Sequence, residues 1–175
     1  ACAISHLRIW RTMLRCWGES GSEWLLVLED DVLLAPNFAA HFKERLNSLE
    51  ALGQEGEWDL ICVGSRLDMG EHVDFDDEYL VAGVMRIRNY RNCHTHAYAI
   101  RPRAALFLIA KAEEGGIICG MDWFMAIQHR RMNSLAFMPS LAGQLDSVSH
   151  ASDIAAHHAQ WGTANDYHVL SESGI

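Results

Sequence analysis

The apolar run Trp24-Leu25-Leu26-Val27-Leu28 ends on three consecutive carboxylates, Glu29, Asp30 and Asp31, and the chain turns apolar again at Val32-Leu33-Leu34. A short apolar run with aromatic and β-branched members reads as a buried strand. Burying unpaired charges beside it would cost several kcal/mol each, so the acids should emerge at the C-terminal edge of that strand. In an open α/β sheet this edge is where ligands bind. Hard oxygen ligands converging there suit Mg²⁺ or Mn²⁺ carrying a phosphate or diphosphate. The alternative is an acidic turn that faces solvent ahead of Pro36 and Asn37.

The 175-residue length fits one domain with a conventional core. Half of the residues are hydrophobic, and no apolar run approaches the ~20 residues of a membrane span. A net charge of −9 repels phosphate backbones and argues against a nucleic-acid partner. The five cysteines are odd in number, widely spread and without a Cys-x-x-Cys pair, which favours reduced thiols in a cytoplasmic setting. The opening residues show no signal-peptide pattern, and the start looks cut.

Apolar residues Ile4, Leu7, Trp10, Met13, Leu14 and Trp17 share one helical face, which predicts a helix over residues 5–17. A second helix is predicted from Pro36-Asn37 to Gly53, followed by a strand over residues 58–63. This alternation predicts a parallel α/β sheet. Residues 65–78 read as an acidic solvated loop, residues 79–87 and 93–100 as strands, and residues 102–115 as a helix opened by Pro102. Residues 121–131 are a further helix and 134–138 a short strand; from Ser147 the pattern fades into a polar tail.

Taken together, Cys2-Ala3-Ile4-Ser5-His6-Leu7-x-x-Trp10, Leu28-Glu29-Asp30-Asp31-Val32, Thr95-His96-Ala97-Tyr98-Ala99-Ile100 and Ser152-Asp153-Ile154 resemble glycosyltransferase family 25. Bacterial lipopolysaccharide galactosyltransferases and procollagen galactosyltransferases are its members. Asp122 after Gly120-Met121, and Pro139 with Gln144, also fit the bacterial pattern. The resemblance covers residues 1–154, taken as the catalytic domain, and leaves 155–175 as the tail. It implies a GT-A type, Rossmann-like and mostly parallel sheet flanked by helices. Members usually carry a further strand-helix-strand unit ahead of the Ser-His helix, a unit expected to be missing from a sequence that opens directly on that helix.

The implied reaction is inverting, metal-dependent transfer of a hexose, most simply galactose, from a UDP-sugar to a saccharide or glycolipid acceptor in lipopolysaccharide or another surface glycan. The Glu-Asp-Asp triplet looks like a variant of the Asp-x-Asp motif. Asp31, with Glu29 and His150, would hold Mn²⁺ or Mg²⁺; Ser5, His6, Glu29 and Asp30 would face the donor; Thr95, His96, Tyr98 and Gln144 would face the acceptor. Asp122 would be the base that takes the acceptor proton, or else a helix N-cap. Tyr98 has the competing reading of a core aromatic with a satisfied hydroxyl. The implied place is the cytoplasm, with peripheral association at the inner face of the bacterial membrane. Arg86, Arg88, Arg91 and Arg101 are candidates for steering a diphosphate or an anionic acceptor, and otherwise solvated charge. Two rival functions remain: a non-catalytic, degenerate binding domain, and a Mg²⁺-dependent hydrolase or phosphotransferase with Asp30 or Asp31 as nucleophile.

Overall fold

The computed structural model describes residues 2–53, 57–64, 78–88 and 94–144. Three layers result, with a six-stranded sheet between helices. Helix α1 (Cys2–Trp17) buries His6, Trp10 and Met13 on one face, close to the predicted span. Strand β1 (Leu25–Leu28) follows, and then β2 (Val32–Leu34) after the acidic turn. Helix α2 (Phe38–Ala51) starts from Asn37, which sits in the left-handed region at φ 55°, a conformation that asparagine tolerates better than most residues. Strand β3 (Leu60–Cys62), hairpin strands β4 (Glu78–Val81) and β5 (Val84–Arg86), and β6 (Ala97–Ile100) come next. Helix α3 (Pro102–Gly115), with Pro102 in its first turn, leads to α4 (Met121–Ala126), β7 (Ser134–Phe137) and β8 (Ala142–Gln144).

Alternation along the central strands explains the layering. Leu60, Cys62, Tyr98, Ile100 and Ala136 face the layer containing Trp10, Leu108 and Phe124. Ile61, Val63, Ala97, Ala99, Leu135 and Phe137 face the opposite layer with Phe42 and Leu49 from α2. Strands covered on both faces read as continuous apolar runs, which is how β1 and β3 read in the sequence.

The sheet departs from the expected direction pattern. Its order is β1-β6-β3-β7-β5-β4, and only β3 with β7 pair in parallel; the other neighbours are antiparallel. The predicted β1-α2-β3 unit exists and its two strands run in the same direction, but β6 lies between them and opposes both. The fold is therefore α/β with a mixed, mostly antiparallel sheet, not a mostly parallel one. The single strand expected over residues 79–87 is a hairpin, turned at Gly83 with φ 77°. The helix expected over residues 121–131 stops at Ala126, and His129–Arg131 form a short 3-10 turn. Beside the main sheet, β2 pairs with β8 in a separate antiparallel ribbon.

Candidate active site

Glu29 follows the last residue of β1, and its backbone N–H donates to the carbonyl of His96 (2.9 Å), so the acidic turn opens at the end of β1 beside the start of β6. Its side chain turns toward α1. There the helical spacing of Cys2, His6 and Trp10 puts all three on one face, one turn apart. The Glu29 Oε1 atom accepts from His6 Nε2 (3.0 Å), Thr95 Oγ1 (2.7 Å) and, more weakly, Cys2 Sγ (3.7 Å).

The same histidine continues into the core. Trp10 Nε1 donates to the Tyr98 hydroxyl (3.0 Å), and that hydroxyl lies 2.7 Å from His6 Nδ1. His6 Nε2 faces the Glu29 carboxylate and so carries a ring proton; with the imidazole neutral, Nδ1 is left to accept from the Tyr98 hydroxyl, which itself accepts from Trp10. The chain Trp10 to Tyr98 to His6 to Glu29 thus has one consistent direction of donation. The His6 hydrogen bond, opposed by burial and aided by Thr95, holds the Glu29 carboxyl down to about 2. Burial pushes the Tyr98 hydroxyl well above its usual range, which keeps it a proton donor. Burial, then the charge of Glu29, likewise raises the Cys2 thiol, so it stays a thiol.

Asp31 lies across the turn in a different setting. Gln144, its neighbour through the β2–β8 ribbon, donates from Nε2 to Asp31 Oδ2 (2.7 Å). The other oxygen, Oδ1, is shielded from solvent and has no hydrogen-bond donor among the described residues. Asp30 is exposed between the two. His96 is 1% exposed, contacts the Ala142 carbonyl through Nε2 (3.3 Å), and is held toward its neutral form by burial against the opposing charges of Glu29 and Asp31. Gly64 leaves room for that ring, since a Cβ there would overlap His96 Nε2.

The expected site residues divide accordingly. His6, Glu29, Thr95 and Tyr98 are brought together. Thr95 and Tyr98 turn inward to Glu29 and His6, and Tyr98 is 0% exposed, so the expectation that Tyr98 touches an acceptor gives way to a positioning role. Thr95 and His96 precede the regular strand, which begins at Ala97, so strict alternation does not hold and His96 points to the β8 side instead. Its burial removes it from direct acceptor contact as well. Gln144 braces Asp31. Ser5 is exposed on α1 beside His6. His150 and the Ser152-Asp153 segment lie outside the described residues. Trp10 is the residue whose site role the sequence did not give away; its shared helix face with His6 was the available signal.

Asp122 is the second residue of α4, after the N-cap Gly120, so it is not itself the N-cap. Its Oδ1 accepts from the Trp123 backbone N–H (2.9 Å). Asp122 and Glu29 both act on the Cys2 thiol electrostatically, which puts both carboxylates near the start of α1.

Two donor sets could hold a metal. Ligating atoms of Cys2, His6 and Glu29 lie within 4.8 Å of one another. That set does not suit a hard cation: Cys2 remains a thiol, and the His6 Nε2 lone pair is occupied by the proton it donates to Glu29. Asp31 Oδ1 fits better, being a carboxylate oxygen hidden from water with no donor among the described residues. Glu29 offers its second oxygen, Oε2, on the same turn.

Comparison with known proteins adds the context for this edge. Among curated proteins, none matches the chain. The family model of glycosyltransferase family 25, described as LPS biosynthesis protein, matches residues 1–125 of the 175, a span that includes α1, the acidic turn, β6 and Asp122. The chain therefore belongs to glycosyltransferase family 25, and glycosyl transfer in LPS biosynthesis is the activity that this membership implies.

Proposed function

We propose that the protein transfers a hexose, galactose in the first instance, from a UDP-sugar to a saccharide or glycolipid acceptor, with inversion and with a divalent cation. The observation that carries this reading is the fixed charge of Glu29 at the strand edge, held by His6 and Thr95, while two residues on an oxygen of Asp31 has no donor among the described residues. Buried polar atoms in a cluster that only supports the fold are as a rule hydrogen-bonded, so an oxygen without a donor among the described residues favours a ligand there.

Asp31 through Oδ1 and Glu29 through Oε2 are the residues that would hold Mn²⁺ or Mg²⁺, which when bound supplies Lewis-acid neutralisation of the leaving diphosphate. Glu29 stays ionised across neutral pH, so its free oxygen can accept from a ribose hydroxyl or a cation-bound water. His6 holds that carboxylate in place and is itself held by Tyr98.

Inversion requires a base on the face opposite the diphosphate. Asp122 takes the proton of the acceptor hydroxyl as the acceptor oxygen bonds to the anomeric carbon and the bond to UDP breaks. Its closeness to the start of α1, where Glu29 also acts on the Cys2 thiol, supports this assignment. Asp122→Asn should lower kcat by ~10² to 10⁴ with donor affinity kept. Asn can still accept the hydrogen bond from Trp123, so near-normal turnover together with a normal melting curve would remove Asp122 from the mechanism.

A further inference from the structure

A basic cleft lies at the opposite edge of the sheet from Glu29. Arg86, Arg88, Arg130 and Arg131, with His129, line a cavity of about 690 Å³. The strand registers fix its location. Arg86 pairs with Leu135 at the start of β7, and Ser134 pairs with Leu60 at the start of β3. Glu29 follows the end of β1, whose Leu28 pairs with Ala97, at the edge where β3 ends. Strands of this length separate the two edges by roughly 10 Å, and three strands at a spacing of about 4.8 Å lie between β1 and β5, so these arginines do not serve the diphosphate at the acidic turn. Arg101, grouped with them by sequence, is elsewhere: its guanidinium stacks over Trp58 at 4.3 Å and donates to the Ser22 carbonyl.

Charge makes the cleft unusual. In a chain of net charge −9, four of its 14 Lys and Arg residues converge here. Glu78 pairs with Arg86 at 3.5 Å, and Glu114 lies within electrostatic reach of Arg131. The Arg86 Nε–H is shielded from solvent with no acceptor among the described residues. Arg130 is braced by its Nε donating to the Arg88 carbonyl (3.0 Å), and His129 Nδ1 lies 3.0 Å from Ser134 Oγ, so part of the rim is ordered by the fold. Like charges assembled in this way repel one another, and an oxyanion relieves that repulsion while matching the planar guanidinium fork.

We propose that this cleft is a second anion-binding site, separate from the acidic turn, that takes a phosphate monoester or diester group. The same chemistry is offered by a soluble phosphorylated ligand and by an anionic lipid headgroup, and the test separates them.

Titration calorimetry with inorganic phosphate, and co-sedimentation with vesicles of phosphatidylglycerol in phosphatidylcholine, are run in EDTA so that cation-dependent binding at Glu29 does not enter. At least one probe should bind, should weaken with added NaCl, and should lose at least ~10-fold in affinity in the Arg88→Gln/Arg131→Gln double variant. Both positions are exposed, and a wild-type melting curve checks the fold of the variant. Saturable phosphate binding identifies a soluble phosphoryl ligand. Vesicle binding that depends on phosphatidylglycerol and resists competing phosphate identifies a headgroup. Failure of both probes with the wild-type protein, or equal binding by the double variant, overturns the site. Glu29→Gln should bind the responsive probe as wild type does; a parallel loss there would assign the binding to the acidic turn and overturn the proposal.

Discussion

Glu29 and Asp31 are two residues apart on one turn, yet the fold treats them in opposite ways. Glu29 leans into the main body and meets donors from α1 and from the segment before β6. Asp31 belongs to the two-stranded ribbon at the side and has a single exposed glutamine on one oxygen. The first carboxylate is tied to the core through His6, Tyr98 and Trp10; the second keeps a shielded oxygen with no donor among the described residues. The difference teaches that one acidic motif divides its labour, with a fixed charge supplied at one end and ligating capacity at the other.

The largest effect on the fold should come from Glu29→Gln, which removes the charged acceptor from three donors at once. A loss of about 2–3 kcal/mol is expected in urea denaturation at neutral pH. The acid limb carries the same information. The Glu29 carboxyl is held down from 4.5 to about 2, so its contribution is complete above the upper value and lost as pH falls through the lower one. Wild-type stability should therefore fall more steeply than that of Glu29→Gln between those values, and parallel acid limbs would break the contrast with Asp31.

Tyr98→Phe should cost somewhat less, about 1–2 kcal/mol, because it strands the Trp10 indole N–H and His6 Nδ1 in a buried site without touching the charge. A structural role for Tyr98 alone predicts only this loss. The positioning role also predicts a fall in turnover in the folded variant, measured by steady-state kinetics well below its melting temperature.

Gln144→Ala should barely register in stability, within about 0.5 kcal/mol, since the residue is exposed. Its effect belongs to binding. Losing the partner that orients Asp31 should weaken Mn²⁺-dependent UDP binding by ~10-fold, the lower end for groups that orient a metal ligand. Calorimetry showing unchanged affinity would mean that the ribbon does not organise Asp31.

The helices were legible because each buries one face at regular spacing: His6, Trp10 and Met13 in α1, or Phe42 and Leu49 in α2, repeat at helical intervals. Strand direction was not legible. The β1-α2-β3 alternation holds, but nothing local in Ala97–Ile100 announces that this strand inserts between the two and opposes both. The Gly83 turn was available in the sequence as a glycine within an apolar run, a pattern compatible with a bulge as well as a hairpin. At the site, the position of the acids at a strand end followed from the cost of burying charge. The pairing of Glu29 with His6, and of Asp31 with Gln144, did not, because contacts 23 and 113 residues apart depend on how the layers and the ribbon dock.

The most direct test of the central claim is calorimetry of UDP binding, with and without Mn²⁺, to the wild-type protein and to Asp31→Ala. The account predicts that wild-type protein binds UDP in a Mn²⁺-dependent manner, that Asp31→Ala loses this binding, and that its melting temperature stays close to normal because one repulsive charge has left an acidic turn. Mn²⁺-dependent UDP affinity that survives intact in Asp31→Ala would contradict it.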